Sequence, residues 1–529
     1  MNFHFAYAAT MPITLQPERL LSATTESPDT VAVRDSTTEY TWQDLEFRAR
    51  RLANGLRIDV GTGSWGMLSA NRVEWAEAAL ATVRAGCRLV PLNWHLSEQE
   101  LADLVRDSSI RLIVADASHA GVARHAAAIA TSAGADPVRV IELGDEYEGW
   151  VGSQPNQILP DGAAGVTLQY TGGTTGPSRA VIRADAAGTV RDFSMRQRVW
   201  GDLTGMPESG VALLVTPAYH ALGGALMRSS LVRGIPITML EHWDPQKVLD
   251  TIESQRITVT AMVPTQLIRL LKLTSAERYQ VDTSSLEWVL HTAAPCPEWV
   301  KRGMIDWFGP VIVELYGSSE GAGPVVCTTQ EWLDHPGTVG RAVGSLRLSI
   351  LDDEGNDLPA GQVGAIFAAR ADGPPTYFGD EEKTAAIRLP DGRFTVGDIG
   401  WLDDDEFLYL ADRRVDLVIR GGANVYPAEI EGVISEHHCV ADVAVFGVDD
   451  PEWGQQIVAL VELVASSAPP TDAATTIEDL FEHCRQRLSS FKVPQVLDIM
   501  EKLPREASGK LKKRIVREEY LLRQSVADG

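Results

Sequence analysis

The sequence predicts an α/β protein: a large N-terminal domain of α/β layers with a β-rich subdomain, followed by a small α+β C-terminal domain. The first observation is the length of 529 residues, which provides several folding units at roughly 150 residues each. The second is that helical and strand patterns alternate through about the first 400 residues, as in layers around parallel sheets. The third is that hairpin-forming strands appear from Leu346 onward.

One segment illustrates the α/β layers of the large domain. Asn71 is expected to cap a helix, with Glu74 three residues later and apolar residues at helical spacing until Gly86 ends it. A short apolar strand is expected over 87–92. A helix that is followed at once by a buried strand is typical of a parallel sheet.

Strands of the β-rich subdomain are expected over 346–350 and 364–368, with a turn at 352–355 between them. The domain boundary is placed after Arg413, so that residues 1–413 form the large domain and residues 414–529 the small one. In the small domain, strands are expected over 440–446 and 457–464. A helix then presents one apolar face formed by Ile477, Leu480, Phe481, Cys484 and Leu488.

Composition excludes several classes of function. The chain has 47 Lys plus Arg and 72 Asp plus Glu, a formal charge of -25, which disfavours nucleic acid or an anionic membrane surface as the partner. No stretch approaches 18 uninterrupted apolar residues, so no membrane span is expected. The five cysteines are scattered, which favours a reducing cytoplasm. Adjacent His437, His438 and Cys439 lack the spacing of a zinc site.

Two motifs point to other functions and are weighed against their context. Residues 61–66 match the dinucleotide pattern G-x-G-x-x-G, but the apolar stretch follows the glycines instead of preceding them. Residues 317–321 match the nucleophile elbow G-x-S-x-G, which would make Ser319 the nucleophile of an α/β-hydrolase, with His437 or His438 completing a triad. Pro324 follows where the elbow needs a helix, which disfavours the hydrolase.

The segment 170–179 is the strongest signal for an anion site. It contains three glycines that allow backbone amides to surround an anion, three threonine hydroxyls, and the charge of Arg179. The segment is not a Walker loop, because no Gly-Lys-Ser/Thr follows at the required place. It therefore predicts phosphate binding of another kind, with an exposed flexible turn as the alternative.

A basic segment near the C-terminus also stands out on this acidic chain. Six basic residues and one acidic residue lie between Arg505 and Arg517. Such a run is commonly a solvated helix face. Lys510 differs because it follows Ser508 and Gly509, on a turn that can project one ammonium into a neighbouring cleft.

Residues 316–320 and the run from Gly397 to Glu431 add two further motifs to segments 170–179 and 505–517. Together these four segments carry a resemblance to a known family. The chain resembles the adenylate-forming superfamily of acyl-CoA synthetases, luciferases and peptide-synthetase adenylation domains, over about residues 91–510. The resemblance implies an ATP-dependent, AMP-forming acyl-CoA ligase that acts through an acyl-adenylate, with a small domain that rotates between two half-reactions. ATP, Mg²⁺ and coenzyme A are the implied cofactors and a small carboxylic acid is the substrate. The resemblance leaves open whether the protein forms a homo-oligomer.

The resemblance also implies roles for individual residues. Lys510 would bridge the acyl carboxylate and the α-phosphate, Glu320 would hold Mg²⁺, and His220 would flank the acid. The implied ATP and AMP contacts are Thr171, Gly172, Gly173, Thr174, Thr175, Gly176, Arg179, Ala293, Ala294, Pro295, Tyr316, Gly317, Ser319, Asp398, Arg413 and Lys510, with Thr174 also counted as catalytic. Gly421, Gly422 and Asn424 would line the coenzyme A tunnel. The expected acid pocket comprises Tyr219, His220, Gly223, Gly224, Met262, Val263, Thr292 and Leu315.

Several positions depart from the family pattern. Gly172 and Arg179 replace the usual Ser and Lys of the phosphate loop, and Val415 replaces the usual polar hinge residue. The segment 217–220 carries no Asp to pair with a substrate ammonium, which favours an apolar fatty or aryl acid. The alternatives are adenylation with a carrier protein or another acceptor in place of coenzyme A, the hydrolase that uses Ser319, and a nucleotide-binding protein without catalysis.

Overall fold

The computed structural model describes residues 26–160, 162–171, 179–182, 188–318, 321–377, 380–413, 416–420, 423–464, 473–505 and 511–527. A large N-terminal part and a small C-terminal part are each built from mixed helices and strands. The predicted fold class is therefore confirmed. Within the described residues, no helix is both long and apolar enough to cross a bilayer.

The first part of the chain forms a wholly parallel five-stranded sheet with the strand order β6-β5-β3-β4-β7. Its elements and those that flank it are β1 (Val31–Arg34), β2 (Glu39–Thr41), α1 (Trp42–Asp59), β3 (Ser64–Leu68), α2 (Glu74–Ala85), β4 (Arg88–Leu92), α3 (Glu98–Asp107), β5 (Ile110–Ala115), α4 (Ala120–Ser132), β6 (Arg139–Glu142), α5 (Asp145–Ser153) and β7 (Val166–Thr167). Gly61 and Gly63 precede β3 and Gly66 lies within it, so the glycines do not follow a strand and the rejection of the dinucleotide motif is confirmed.

The second part of the chain forms a nine-stranded sheet with the order β16-β15-β14-β13-β12-β10-β11-β1-β2. Strands β14, β13, β12, β10, β11 and β1 are mutually parallel, and the outer strands are antiparallel. The elements are β8 (Gln169–Thr171), β9 (Arg179–Ile182), α6 (Val190–Leu203), β10 (Ala212–Leu214), α7 (Ala221–Arg233), β11 (Ile237–Met239), α8 (Pro245–Ser254), β12 (Val259–Met262), α9 (Pro264–Leu271), α10 (Ser275–Tyr279), β13 (Trp288–His291), α11 (Glu298–Phe308), β14 (Ile312–Tyr316), β15 (Val325–Thr328), α12 (Thr329–Asp334) and β16 (Arg341–Ala342).

The β-rich subdomain follows as a four-stranded antiparallel sheet with the order β17-β18-β20-β21. Its elements are β17 (Arg347–Leu351), β18 (Gly364–Ala369), β19 (Thr376–Tyr377), α13 (Glu381–Ala386), β20 (Phe394–Leu402) and β21 (Leu408–Arg413). The predicted hairpin over 346–350 and 364–368 is therefore confirmed within one residue at each end. Strand β19 lies apart and pairs with β9.

The small C-terminal part contains β22 (Val418–Arg420), β23 (Ala423–Val425), α14 (Pro427–Ser435), β24 (Val440–Asp450), β25 (Gly454–Leu463), α15 (Ala473–Arg487), β26 (Val496–Ile499) and α16 (Lys513–Ala527). β24 and β25 pair antiparallel, and β26 joins them in parallel. Leu480, Cys484 and Leu488 of the predicted helix face are buried in the core. This part of the fold thus buries both faces of its sheet, one against α14 and α15 and the other against α16.

Two cores flank the nine-stranded sheet. One apolar cluster joins the five-stranded and nine-stranded sheets through α1, α2 and α7, and the other fills the space between the nine-stranded sheet and α8, α9 and α11. Because successive residues of a strand point to opposite faces, neighbours in one strand belong to different clusters. Val263 belongs to the first cluster and Met262 to the second.

Candidate active site

Four neighbouring parallel strands end at one edge of the nine-stranded sheet. β10, β12, β13 and β14 lie side by side and run in the same direction. Beyond their carboxyl ends the chain continues into residues 217–220, Val263, residues 292–295 and Gly317, respectively. In open α/β sheets, ligands bind in the crevice at this edge. The structure therefore brings together predicted acid and nucleotide residues that lie up to 100 positions apart in the sequence.

Tyr316 and Asp398 come from different sheets and are joined by a hydrogen bond. The Tyr316 hydroxyl donates to Asp398 Oδ2 at 2.7 Å. Asp398 is buried on β20, where it lies opposite Arg413 of β21 in antiparallel register. The residue implied for adenine thus lies beside the pair implied for ribose. The side chains of Arg413, Thr171 and Arg179 lie outside the described residues.

Ala293 lies in a backbone conformation that alanine rarely adopts. Its φ angle is 81°, in the left-handed region where the Cβ atom is unfavourable. Ala293 is partly buried and packs against the core that joins the two sheets. The adjacent Thr292 and Ala294 are partly buried, and Pro295 is exposed. Strained residues cluster at sites where the surrounding structure fixes a loop for function.

A buried charged group lies directly beneath this segment. Lys301 Nζ of α11 donates to Glu314 Oε2 of β14 at 2.5 Å, and both side chains are buried. His291, opposite Glu314 in the parallel register, is fully buried with its Nε2 atom 3.9 Å from Glu314 Oε2. Burial lowers the pKa of His291 to about 4, although the Glu314 carboxylate opposes that change. The imidazole is therefore neutral at physiological pH.

The chain turns sharply between β14 and β15. The Gly321 amide donates to the Ser318 carbonyl oxygen at 3.0 Å, and the Ala322 amide donates to Ser318 Oγ at 3.3 Å. A Cβ atom on Gly323 would lie 2.8 Å from the Gly317 Cα atom, so only glycine allows this approach. The turn thus fixes the described residues on either side of positions 319 and 320. Ser319 and Glu320 themselves lie outside the described residues.

The predicted phosphate loop begins and ends on a hairpin. Thr171 of β8 pairs with Arg179 of β9 in antiparallel register. The loop residues Gly172, Gly173, Thr174, Thr175 and Gly176 lie outside the described residues. Their roles in phosphate binding stay a prediction.

The aromatic-histidine segment lies at the beginning of α7. Tyr219 is buried, its ring centroid lies 4.3 Å from that of His220, and its carbonyl oxygen accepts a hydrogen bond from Gln169 Nε2 at 3.1 Å. His220 is the N-cap residue of α7. Tyr219 and Val263 belong to the apolar core that lies between the two sheets, and Leu315 packs against it.

The structure shows the surroundings of three residues expected in the acid pocket, and their role in that pocket stays a prediction. Met262 is fully buried in the opposite core, between the sheet and α9 and α11, because it points to the other face of β12 from its neighbour Val263. Gly223 and Gly224 were expected to leave space for the acyl tail. A Cβ atom on Gly223 would lie 2.3 Å from the Pro217 carbonyl oxygen, so this glycine allows close packing of α7 against the preceding backbone. A Cβ atom on Gly224 would lie 2.7 Å from Arg228 Nη1.

Asn71 contributes to the acid side of the crevice, and the sequence did not reveal this role. It does not cap α2, whose N-cap residue is Val73. Its side chain is buried and makes three hydrogen bonds: Oδ1 accepts from the Ala218 amide at 2.7 Å, and Nδ2 donates to the carbonyl oxygens of Thr216 and Leu240, both at 3.1 Å. It therefore fixes the backbone that precedes His220. An asparagine between a buried strand and a helix start was the only local signal.

The expected coenzyme A segment lies on a hairpin of the small C-terminal part. Arg420 of β22 pairs with Ala423 of β23, which leaves two intervening positions for Gly421 and Gly422. Two-residue hairpin turns favour glycine. The hairpin by itself therefore explains glycine at positions 421 and 422, in addition to the role implied for them in the coenzyme A tunnel. Asn424 is exposed. Gly421, Gly422 and Lys510 lie outside the described residues.

Two of the contacts between the small C-terminal part and the large one lie near α14 and near Lys512. Trp299 Nε1 of α11 donates to the buried Ser435 Oγ of α14 at 3.1 Å. Lys512, two residues after Lys510, lies close enough to His95 to lower its pKa, although burial is the larger cause and His119 also contributes. The segment that follows Lys510 therefore faces the large N-terminal part.

The observed connections contradict the hydrolase alternative. A nucleophile elbow requires a strand, a turn and a helix. Here β14 leads through a turn into β15, which pairs with it antiparallel, and the described residues between them contain no helix. The described residues contain no group of three or more His, Cys, Asp or Glu side chains arranged to hold a metal.

Comparison with protein families identifies both parts of the chain. Residues 21–378 match the AMP-binding enzyme family, and residues 429–510 match the AMP-binding enzyme C-terminal domain. The two matches follow each other in the chain and together include the strand ends and the Lys510 segment.

Three relatives align over nearly the whole chain. A 2-succinylbenzoate–CoA ligase from Bacillus licheniformis is 31% identical over 92% of this chain and 96% of its own length. A feruloyl-CoA synthase from an Amycolatopsis species is 30% identical over 93% of this chain and 96% of its own length. The fatty acid–[acyl-carrier-protein] ligase ScoC from Streptomyces coeruleorubidus is 27% identical over 93% of this chain and 94% of its own length.

Solved structures show the same fold. ATP-bound MatB from Rhodopseudomonas palustris superposes with a TM-score of 0.78 at 26% identity, covering 94% of this chain and 96% of that one. The o-succinylbenzoate CoA synthetase from Bacillus subtilis, in complex with its acyl-adenylate intermediate, superposes with a TM-score of 0.79 at 26% identity, covering 95% and 98%. The chain belongs to the AMP-binding enzyme family of the adenylate-forming superfamily, and it is an AMP-forming ligase of the acid–CoA type.

Proposed function

We propose that this ligase activates an apolar fatty or aryl carboxylic acid as its acyl-adenylate and then transfers the acyl group to coenzyme A. The observation that carries the proposal is the convergence of four strand ends on one crevice, with the Tyr316–Asp398 hydrogen bond at one side and Tyr219 and His220 at the other. The nucleotide and the acid would thus meet along one sheet edge.

Charge repulsion decides what the site must supply in the first half-reaction. A carboxylate has to approach the α-phosphorus of an anionic triphosphate, and two unit charges about 4 Å apart repel by roughly 4 kcal/mol at an effective dielectric constant near 20. We infer that the Lys510 ammonium offsets this repulsion and stabilises charge on the pentacoordinate phosphorus. The Glu320 carboxylate suits Mg²⁺ as a hard oxygen donor, and Mg²⁺ would neutralise charge on the phosphates.

The walls of the crevice favour an apolar acid. Tyr219, Val263 and Leu315, near the strand ends, are apolar or aromatic, and no Asp lies in 217–220 to bind an ammonium group. His220 would flank the carboxylate of the substrate. The relatives named above act on succinylbenzoate, ferulate and fatty acids, a range that supports the class of acid without selecting one member.

The acceptor in the second half-reaction has one competing candidate. The similarity to a fatty acid–[acyl-carrier-protein] ligase favours transfer to a carrier-protein thiol, whereas the two CoA ligases favour free coenzyme A. We propose coenzyme A, with Gly421, Gly422 and Asn424 beside its pantetheine arm and the small domain, residues 414–529, rotating about the segment after Arg413.

A panel of fatty and aryl acids tests the proposal through pyrophosphate release, with and without coenzyme A. We expect release that requires both an acid and ATP, and a thioester product that requires coenzyme A. Release without any thioester in the presence of coenzyme A would favour the carrier protein. If no acid in the panel caused release, the proposed substrate class would be wrong.

The Lys510→Ala variant tests the division between half-reactions. We expect adenylation to fall on the order of 100- to 1000-fold, the effect of removing one preorganised charge-stabilising group. Thioester formation from supplied acyl-adenylate and coenzyme A should persist. An equal loss in both half-reactions would contradict the role proposed for Lys510.

A further inference from the structure

The segment that carries Lys510 is held at both ends within the small C-terminal part. Arg505 and Leu511, on either side of residues 506–510, form an isolated antiparallel β-bridge. The Lys512 amide donates to the Pro504 carbonyl oxygen at 3.0 Å. The Leu503 amide donates to Glu462 Oε2 of β25 at 2.8 Å. The backbone at the base of the segment is thus fixed to the sheet.

The Arg505 side chain adds a bidentate ion pair at the same place. Its Nε atom donates to Asp442 Oδ2 at 2.5 Å, and its Nη2 atom donates to Asp442 Oδ1 at 2.7 Å. The two side chains are 22% and 18% exposed, so the pair is largely shielded from water. Two parallel hydrogen bonds fix the orientation of a guanidinium as well as its position. The pair therefore fixes the Arg505 side chain at the base of the segment that contains Lys510.

Asp442 also faces the large N-terminal part. Lys272, directly after α9, has a buried Nζ atom that forms no hydrogen bond with any residue in the described part of the chain. Burial lowers the pKa of Lys272, and the nearby Asp442 carboxylate and Cys439 thiol oppose that change. One carboxylate thus interacts with Arg505 at the base of the Lys510 segment and with a cation across the contact between the two parts.

We propose that Arg505 and Asp442 are positioning residues for Lys510. Their ion pair would fix the base of the segment 506–510, and the attraction between Asp442 and Lys272 would favour the described contact between the small part and the large one. The inference rests on the proposed role of Lys510 in adenylation. It assigns Arg505 and Asp442 to the first half-reaction and gives them no part in the second.

The two half-reactions, measured separately, test the inference. We expect Asp442→Asn and Arg505→Ala each to slow adenylation about 10- to 100-fold, the effect of misplacing a catalytic group by about 1 Å. Thioester formation from supplied acyl-adenylate should change less than about 3-fold, because the two substitutions do not misplace any group proposed for the second half-reaction. Arg505→Lys should recover only part of the rate, because an ammonium cannot form the bidentate pair.

Controls separate positioning from general stability. Arg514→Ala removes an exposed ion pair with Glu518 close by on α16 and should leave both half-reactions unchanged. In a Lys510→Ala background, Asp442→Asn should cause little further loss, because both changes act through one group. Equal loss in both half-reactions, or a full further loss in that background, would overturn the proposal. Thermal unfolding checks that each variant is folded.

Trypsin cleavage after Lys510 provides a readout that needs no activity. If the ion pair holds the segment, Asp442→Asn should be cut at Lys510 several-fold faster than the natural protein, and Arg514→Ala at the unchanged rate. Unchanged cleavage in Asp442→Asn would overturn the inference even if the enzyme proved active. Faster cleavage in a chain that adenylates no acid would uphold the positioning of the segment and contradict the proposed function alone.

Discussion

At the scale of single residues, the nucleotide side of the crevice combines backbone strain with buried charge. Ala293 adopts a left-handed φ of 81° where the chain leaves β13. Two residues earlier, His291 is buried beside the Lys301–Glu314 ion pair. Both features lie next to the segment implied for adenine. Each has a consequence for stability that can be measured without knowing the substrate.

The strain at Ala293 predicts that a smaller residue is better tolerated. Ala293→Gly should raise the free energy of unfolding by about 0.5–1 kcal/mol, because glycine adopts positive φ without a Cβ clash. Thermal unfolding at fixed pH measures the change. The matched control is Ala294→Gly, which has no positive φ to relieve and should be neutral or destabilising. A loss of stability in Ala293→Gly would contradict the strain.

His291 predicts a loss of stability in acid. Its pKa is about 4 in the folded protein, against an ordinary value of 6.5, because burial disfavours the charged imidazole. The unfolded chain therefore takes up the proton first, and the stabilisation present above pH 6.5 is lost as the pH falls toward 4. At about 1.4 kcal/mol per pKa unit, the full loss is about 3 kcal/mol.

The measurement compares unfolding of the natural protein and of His291→Gln between pH 7 and pH 4, at roughly half-unit steps around the ordinary histidine pKa. The variant should lose less stability than the natural protein over this range, since glutamine takes up no proton. Parallel curves for the two proteins would show that His291 does not carry this dependence.

At the scale of elements, the acid side of the crevice depends on a connection between two sheets. Asn71 follows β3 of the five-stranded sheet and binds the loop after β10 and the end of β11 in the nine-stranded sheet. Its three hydrogen bonds satisfy buried backbone groups that would otherwise be left unpaired. The loop that carries His220 is therefore fixed from the side opposite α7.

Asn71→Ala should weaken use of the acid more than use of ATP. Each buried backbone group left without a partner costs about 1–3 kcal/mol, so the 216–218 loop should shift and the KM for the acid should rise about 10-fold or more. Steady-state kinetics with each substrate varied in turn measures the effect. Asn54→Ala is the matched control, since Asn54 is also buried and hydrogen-bonded but lies on α1, among other partners. Equal effects of the two variants would indicate general destabilisation.

At the scale of the whole molecule, the described arrangement places the Lys512 side of the small part against the large part. The hydrogen bond between Trp299 and Ser435 crosses that contact. We propose that this arrangement serves the first half-reaction, in which Lys510 is expected to act. Rotation for the second half-reaction would have to break this hydrogen bond.

Trp299→Phe should therefore shift the balance between the half-reactions. The variant keeps an aromatic ring and loses one hydrogen bond worth about 1 kcal/mol, which corresponds to roughly a 5-fold change in an equilibrium between two arrangements. We expect adenylation to slow by up to about that factor, relative to thioester formation from supplied acyl-adenylate. Trp307→Phe is the control, because Trp307 lies on the same helix and forms no hydrogen bond with the described residues of the small part. Slower thioester formation instead would assign this contact to the second half-reaction.

The sequence by itself determined the fold class, the β-rich hairpins, the apolar face of α15 and the order of the motifs, because each depends on periodicity or on residues close together in the chain. Only the tertiary structure decided that Met262 faces the opposite core, that Gly223 allows helix packing, and that Asn71 binds a loop 145 residues away. Strand pairing and the sheet face that a residue occupies depend on contacts between distant segments, and local patterns carry no record of those partners.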